Sequence, residues 1–195
     1  MNIIDISNFK NLPYHEKVKI IKKLTPNERI HLSKQIGYPV FTRMCMGDLQ
    51  HDFILLQDGA SAIILNDKNE ILLQSRADRN KWGLPGGCQE LEETFEETII
   101  REIKEETNLD VLIDDLELLA VVSGPSRRSD YPNGDIVINN TILYLVRKYS
   151  GELRWNQESK EMRFFNIDNL PENQHDPDLI DIYRKKLYNK TSKKL

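Results

Sequence analysis

The stretch from Gly86 to Leu109 constrains this chain more than any other. Two adjacent glycines, Gly86 and Gly87, lead through Glu90, Glu92 and Glu93 into a run carrying Arg101, Glu102, Glu105 and Glu106. It reads as a glycine loop opening an acidic helix. Thr94 is placed to act as the N-cap, and Glu97 at the third helical position completes a capping box. At about 100° per residue, Glu102, Glu105 and Glu106 fall within a sector of roughly 100°, with Ile99, Ile100 and Ile103 in the adjacent sector. The helix therefore has an inward apolar face and a carboxylate face. Like charges three or four residues apart repel by about 0.2–0.5 kcal/mol even when exposed. A hard divalent cation would turn that repulsion into binding, because such ions prefer carboxylate oxygens. An acidic helix taken alone is more often a solvated face; here the paired glycines, the fixed gap and the single Arg101 tell against that.

The spacing can be written out: Gly87, five residues, Glu93, seven residues, Arg101-Glu102, an aliphatic residue, any residue, Glu105-Glu106, any residue, Asn108, Leu109. This pattern resembles the Nudix box. It departs from the family only at Asn108, where the family has glycine. Asn tolerates a left-handed helix C-cap better than other non-glycine residues, so the departure is mild. Features on both sides fit the family over about residues 55–185. The resemblance implies an α+β fold, an α/β/α sandwich built on a mixed sheet, with an N-terminal helical extension: residues 1–50 as the extension and 51–195 as the hydrolase domain.

Composition fits one medium domain with an appendage. A net charge of −4 argues against a general nucleic-acid binder, which normally shows a basic face. Cys45 and Cys88 make no disulfide framework, so a reduced, cytoplasmic setting is the simple expectation. Cys88 sits beside the glycine loop, but nothing in the sequence supplies it with a base, and a bystander thiol is expected. No signal-peptide pattern opens the sequence, and no apolar run approaches membrane-spanning length.

Along the chain, Tyr14–Leu24 carries Val18, Ile21 and Leu24 at helical spacing. Thr25-Pro26-Asn27-Glu28 starts a second helix, with Ile30, Leu32 and Ile36 apolar, ending near Gly37. Two short helices bury little alone. They are expected to pack on their own domain, the alternatives being a homodimer contact or a lid over the substrate. His15 and His31 are expected at the surface. Residues 60–65 and 70–76 read as a hairpin across the turn at 66–69. Trp82 is expected in the core. After the acidic helix, residues 117–123, 135–147 and 161–167 are strand-like. Asp176-Pro177-Asp178 opens a last helix with Ile180, Tyr183 and Leu187 on one face.

The resemblance implies a chemistry: hydrolysis of a nucleoside diphosphate linked to another moiety. It implies that Glu102, Glu105 and Glu106 bind Mg²⁺ or Mn²⁺, with Glu93 contributing and Gly86 and Gly87 bringing backbone close to metal and phosphates. Glu102 is the implied base or water-orienting group. In some members a loop carboxylate takes that role, and Glu158 lies in such a loop here, with Glu161 as second choice. Arg101 is expected to pair with Glu93 or Glu97 and hold the loop against the helix. Arg76, ending a strand near the glycines, suits a bidentate contact to phosphate, or else a surface ion pair. The loop from Ser123 to Asp135 is expected to carry specificity. There Arg127 or Arg128 would meet phosphate or ribose and Tyr131 would stack on a base, the alternative for each being an ordinary surface loop residue, and the position of Pro125 resembles the pattern of ADP-ribose-cleaving members. The expected substrate is a nucleotide-derived small molecule such as ADP-ribose or a nucleotide sugar. Rivals are a nucleoside triphosphate, a dinucleoside polyphosphate, an RNA 5′ end, or a ligand sensor without turnover.

Overall fold

The computed structural model describes residues 6–46, 54–77, 80–131 and 134–192. The domain boundary expected at 50/51, and Pro132 and Asn133 of the specificity loop, lie outside them. Four helices come first: α1 (Ile6–Asn11), α2 (Tyr14–Lys23), α3 (Pro26–Ile36) and α4 (Tyr38–Met46). Thr25 caps α3 in a capping box with Glu28, Pro26 stands at its first turn, and Gly37 ends it with φ 90°. The sequence signals for α3 are thus realised. Helix α4 was not anticipated, although Tyr38, Phe41, Met44 and Cys45 stand at helical spacing and Pro39 falls in its first turn. Phe9, Ile21, Leu32 and Phe41, one from each helix, form a small core of their own. Ile30, expected in an apolar contact, faces solvent instead.

The rest is built on two sheets. The larger one runs β4 (Gly86–Cys88), β1 (Ile54–Ile64), β7 (Ile136–Val146), β5 (Leu116–Val122), with β6 (Arg128–Asp130) on the lower half of β7. Strands β1 and β7 are parallel over their whole length, from Ile54 opposite Ile136 to Ile64 opposite Val146, and the other pairings are antiparallel. The smaller sheet runs β3 (Trp82–Gly83), β2 (Ile71–Arg76), β8 (Ser159–Phe165) and is antiparallel.

This overturns the expected hairpin. β1 and β2 belong to different sheets and meet only at a single bridge, Leu65 opposite Ile71. A four-residue turn between two apolar runs reads locally as a hairpin. Strand β1, however, has both flanks taken elsewhere, by β7 and by the glycine strand β4, so β2 finds its ladder with β8.

Period-2 alternation then sorts the core. Ala60, Ala62 and Ile64 of β1, with Tyr144 and Val146 of β7, pack against Ile99 and Ile103 of α5 (Phe95–Thr107). Ile63 and Leu65, with Leu143 and Leu145, face the other way, toward Leu179, Ile180 and Tyr183 of α6 (Pro177–Ser192). Helix on one side, strands in the middle and helix on the other give the α/β/α sandwich. Trp82 joins this second core, edge-on to Phe165 at 4.9 Å, as expected.

Candidate active site

Helix α5 begins as the sequence indicates. The Thr94 hydroxyl accepts from the Glu97 N–H, and the Glu97 carboxylate accepts from the Thr94 N–H. It ends with Asn108 in the left-handed conformation, φ 62°, where the family pattern has glycine. With Ile99 and Ile103 buried, Glu102 and Glu106 are turned toward the gap between the two sheets.

Glu106 lies in that gap and bonds to both sides. One oxygen accepts from Gln74 Nε2 of β2 at 2.9 Å, the other from the Gly86 N–H of β4 at 2.8 Å. It is 3% exposed. Burial pushes its carboxyl up to about 7, against the opposing pull of those two hydrogen bonds. Gln74 is itself held by Ser159 Oγ at 2.6 Å.

Glu102 is pressed against the glycine strand. A Cβ on Gly87 would lie 2.4 Å from Glu102 Oε1 and 2.5 Å from its carboxyl carbon, so the second glycine is required for close approach. Gly86, at φ 149°, would meet the Ala60 carbonyl oxygen at 2.3 Å. Burial raises the Glu102 carboxyl, and the charges of Glu105 and Glu158 add to the rise while Arg101 opposes it. The neighbouring Cys88 thiol is pushed up to about 11, first by burial and then by Glu102, which leaves it inert as a nucleophile.

Arg101 ties the cluster together. Its Nε and Nη2 meet the two oxygens of Glu93 at 2.6 and 3.0 Å, Nη2 also donates to the Cys88 carbonyl at 3.0 Å, and Nη1 reaches Glu102 at 2.7 Å and Glu105 at 3.3 Å. Of the two expected partners, Glu93 is the one it takes. Glu93 also accepts from the Glu90 N–H and the Thr98 hydroxyl, each at 3.0 Å. Burial alone would raise its carboxyl; these donors hold it below the usual carboxylate range.

Glu102, Glu105, Glu106, Arg76, Gly86, Gly87, Arg127, Tyr131 and Glu158 all border one cavity of about 590 Å³. That is within the range of small-molecule sites. Glu158 is exposed, in the loop before β8. Glu161 does not border the cavity; it lies on β8 and pairs with Arg163 at 2.9 Å. Neither Glu93 nor Arg101 borders this cavity. Arg127 is buried, and its Nη1 is already matched by Asp178 at 2.8 Å and Asp176 at 3.1 Å. Arg128 pairs with Asp130 at 2.9 Å and is exposed. Sequence reasoning missed the far wall: Pro39, Val40 and Arg43 of α4, and Gln57, Asn139 and Asn140 on the larger sheet. No local motif marks them; they meet through tertiary packing.

The donor set suits a hard divalent cation, being carboxylate oxygens that repel one another beside a glycine backbone. Among the described residues no three acidic, histidine or cysteine groups already converge as a closed ion cage. In this arrangement Glu102 and Glu105 share the Arg101 guanidinium.

The NUDIX domain model matches residues 55–186, more than half of the chain, and the chain belongs to the Nudix family. It is 38% identical over 111 residues to an ADP-ribose pyrophosphatase of Methanocaldococcus jannaschii, covering 55% of this chain and 61% of that protein. A MutT-like protein of Streptomyces ambofaciens is 39% identical over 56 residues, 29% of this chain and 36% of that one. The chain thus spans less than two thirds of these curated relatives. Among solved structures, the MutT NUDIX hydrolase of Burkholderia pseudomallei superposes with a TM-score of 0.54 at 28% identity, covering 65% of this chain and 96% of that one. The NUDIX domain of Shewanella oneidensis NrtR, solved with ADP ribose, shares the fold with a TM-score of 0.54 at 21% identity, over 70% of this chain and 91% of that one.

Proposed function

We propose that this chain hydrolyses a diphosphate bond in a nucleoside diphosphate derivative, of the ADP-ribose or nucleotide-sugar type, using Mg²⁺ or Mn²⁺. The observation that carries the reading is Glu102, half-buried against Gly87 and beside Glu105 on α5, on the wall of a nucleotide-sized cavity that Glu158 also borders. Similarity to the M. jannaschii ADP-ribose pyrophosphatase supports the substrate class.

Glu102, Glu105 and Glu106 would hold the cation, with Glu93 acting through Arg101. When bound, it neutralises phosphate oxygens and acidifies the attacking water. The chain's own groups supply the rest. Glu102 is placed to orient that water or take its proton, with Glu158 as the loop alternative. Glu106 fixes the spacing between the two sheets across which the diphosphate lies. Arg101 keeps the loop carrying Glu90 and Glu93 against α5. Arg76, at the end of β2 on the cavity wall, binds phosphate, and Tyr131 stacks on the nucleoside. Arg127 shapes the cavity floor, its charge matched by two aspartates.

The test is product analysis by mass after incubation with Mg²⁺ and a panel of ADP-ribose, nucleotide sugars, nucleoside triphosphates and dinucleoside polyphosphates. Cleavage of ADP-ribose to AMP and a sugar phosphate is expected. Tight binding with no turnover of any member would identify a sensor and refute the hydrolase.

A further inference from the structure

Helix α4 lies outside the family match, yet it closes one side of the cavity. Together with α3 it is fastened there at three places. The Tyr38 N–H donates to Glu90 at 2.7 Å, Lys34 of α3 pairs with Glu92, and Arg43 Nε pairs with the buried Asp135 at 2.6 Å. Two of these anchors are in the loop that precedes α5. The appendage is therefore a fixed wall of this site.

Arg43 does one more thing. Its Nη2 donates to Gln57 Oε1 at 3.2 Å. That turns Gln57 Nε2 toward Cys88 Sγ at 2.7 Å and Asn139 Oδ1 at 3.4 Å. Asn139 Oδ1 thus accepts, and its Nδ2 donates to Ser129 Oγ at 3.2 Å. Gln57 and Asn139 are register partners on β1 and β7. The donor direction runs one way, from Arg43 through Gln57 and Asn139 to Ser129. A guanidinium only donates, so it fixes which end of each amide is which. Gln57 stands three residues before Ala60, the partner of Gly87, and four before Ser61, the partner of Gly86, so it lies about 10–13 Å along the strand from the glycines at Glu102.

We infer that Gln57 and Asn139 read the edge of a nucleobase, and that Arg43 is a positioning residue which sets their amide polarity. The inference rests on the cavity being a nucleotide site. A hydroxyl both donates and accepts, so a sugar would be indifferent to an amide flip. A base edge has fixed donors and acceptors; with these bonds made, Asn139 keeps one N–H and one acceptor site for a bidentate pair with it, and Gln57 keeps one acceptor site. The other neighbours at this end suit a flat ring: Pro39 and Val40 are apolar, and Tyr131 offers an aromatic face. Arg43 brings no unmatched charge, since Asp135 neutralises it.

The experiment uses the full chain and three ligands that differ only in the base: ADP-glucose, GDP-glucose and UDP-glucose. Affinity is measured by calorimetry and, separately, kcat/KM with Mg²⁺. The wild type should prefer one base by tenfold or more. Arg43→Met and Gln57→Glu should each shrink that ratio about tenfold, the worth of roughly one hydrogen bond. Gln57→Glu still accepts from Arg43, so the wall stays docked, but it offers Asn139 no donor. Arg43→Lys should restore part of the preference. Equal losses for all three ligands in Arg43→Met, with the ratio untouched in Gln57→Glu, would overturn the inference, as would a wild type with no base preference. A base preference in affinity without turnover would refute the hydrolase and leave the base reader standing.

Discussion

Replacing Gly87 by alanine isolates the positioning of Glu102 from its chemistry. The new Cβ would start 2.4 Å from Glu102 Oε1 and 2.5 Å from the carboxyl carbon. Ordinary contact begins near 3.4 Å. The carboxylate must therefore retreat by about 1 Å, and it has the freedom to do so because it is the end of a flexible side chain. A displacement of that size typically costs about a hundredfold in rate, or roughly 2.7 kcal/mol of transition-state stabilisation. The fold should lose little: the retreat would weaken the 2.7 Å Arg101–Glu102 bond, worth about 1–2 kcal/mol, which lowers the melting temperature by roughly 2–8 °C for a chain of this size. Gly59→Ala is the contrast. Its Cβ would sit 2.3 Å from the Gly87 carbonyl oxygen, a backbone atom paired in a sheet, so that variant should melt far lower or fail to fold. The assays are kcat/KM for the substrate found in the panel and a thermal melt by circular dichroism. If Gly87→Ala retained activity within threefold of wild type, the closeness of Glu102 to the glycine strand would have no catalytic meaning.

Three further outcomes are expected. Glu102→Gln should fold normally and lose between a hundred- and ten-thousandfold in kcat, and near-wild-type turnover would remove Glu102 from its role. Glu93→Gln replaces a carboxylate that accepts from Arg101, the Glu90 N–H and Thr98 with an amide having one acceptor, so unfolding free energy should fall by about 2 kcal/mol, read as a melting temperature roughly 4–8 °C lower. The Glu106 carboxyl sits at about 7 in the folded protein against an unfolded value of 4.5, so the native state holds the extra proton. Its contribution to stability is full below pH 4.5 and is lost as pH rises through 7, by about 3 kcal/mol in the metal-free protein. Melts in chelator from pH 4 to 8 should show that slope, and Glu106→Met should flatten it.

The elements legible in the sequence were those that local chemistry dictates. Thr94 with Glu97 and Thr25 with Glu28 announced two helix starts, and both capping boxes form. Asn108 was recognised as a substitute for glycine at a left-handed cap and takes that conformation. The β-branched and aliphatic content of residues 135–147 gave β7 to within a residue at each end, whereas the apolar run at 60–65 captured only the second half of β1. Failures came where pairing was non-local. The turn at 66–69 implied a hairpin because nothing in residues 54–76 says that β7, some eighty residues later, outcompetes β2 for the flank of β1. The ion pairs that Arg127 makes were equally out of reach, because Asp176 and Asp178 stand about fifty residues further on.

Of this protein the sequence alone determined the helix that carries Glu102, Glu105 and Glu106, its cap, its buried isoleucines and the glycine loop before it, because spacing, capping and close backbone approach are properties of neighbours in the chain. Only the tertiary structure decided that Glu106 bonds across two sheets, that Arg101 takes Glu93, and that Arg43 of an appended helix turns the amides of Gln57 and Asn139 into one wall of the cavity. Apart from the Arg101–Glu93 pair, which the sequence had narrowed to two partners, those contacts join residues on different elements, from fourteen to eighty-two positions apart, and a donor at such a distance leaves no period or motif by which to find its acceptor.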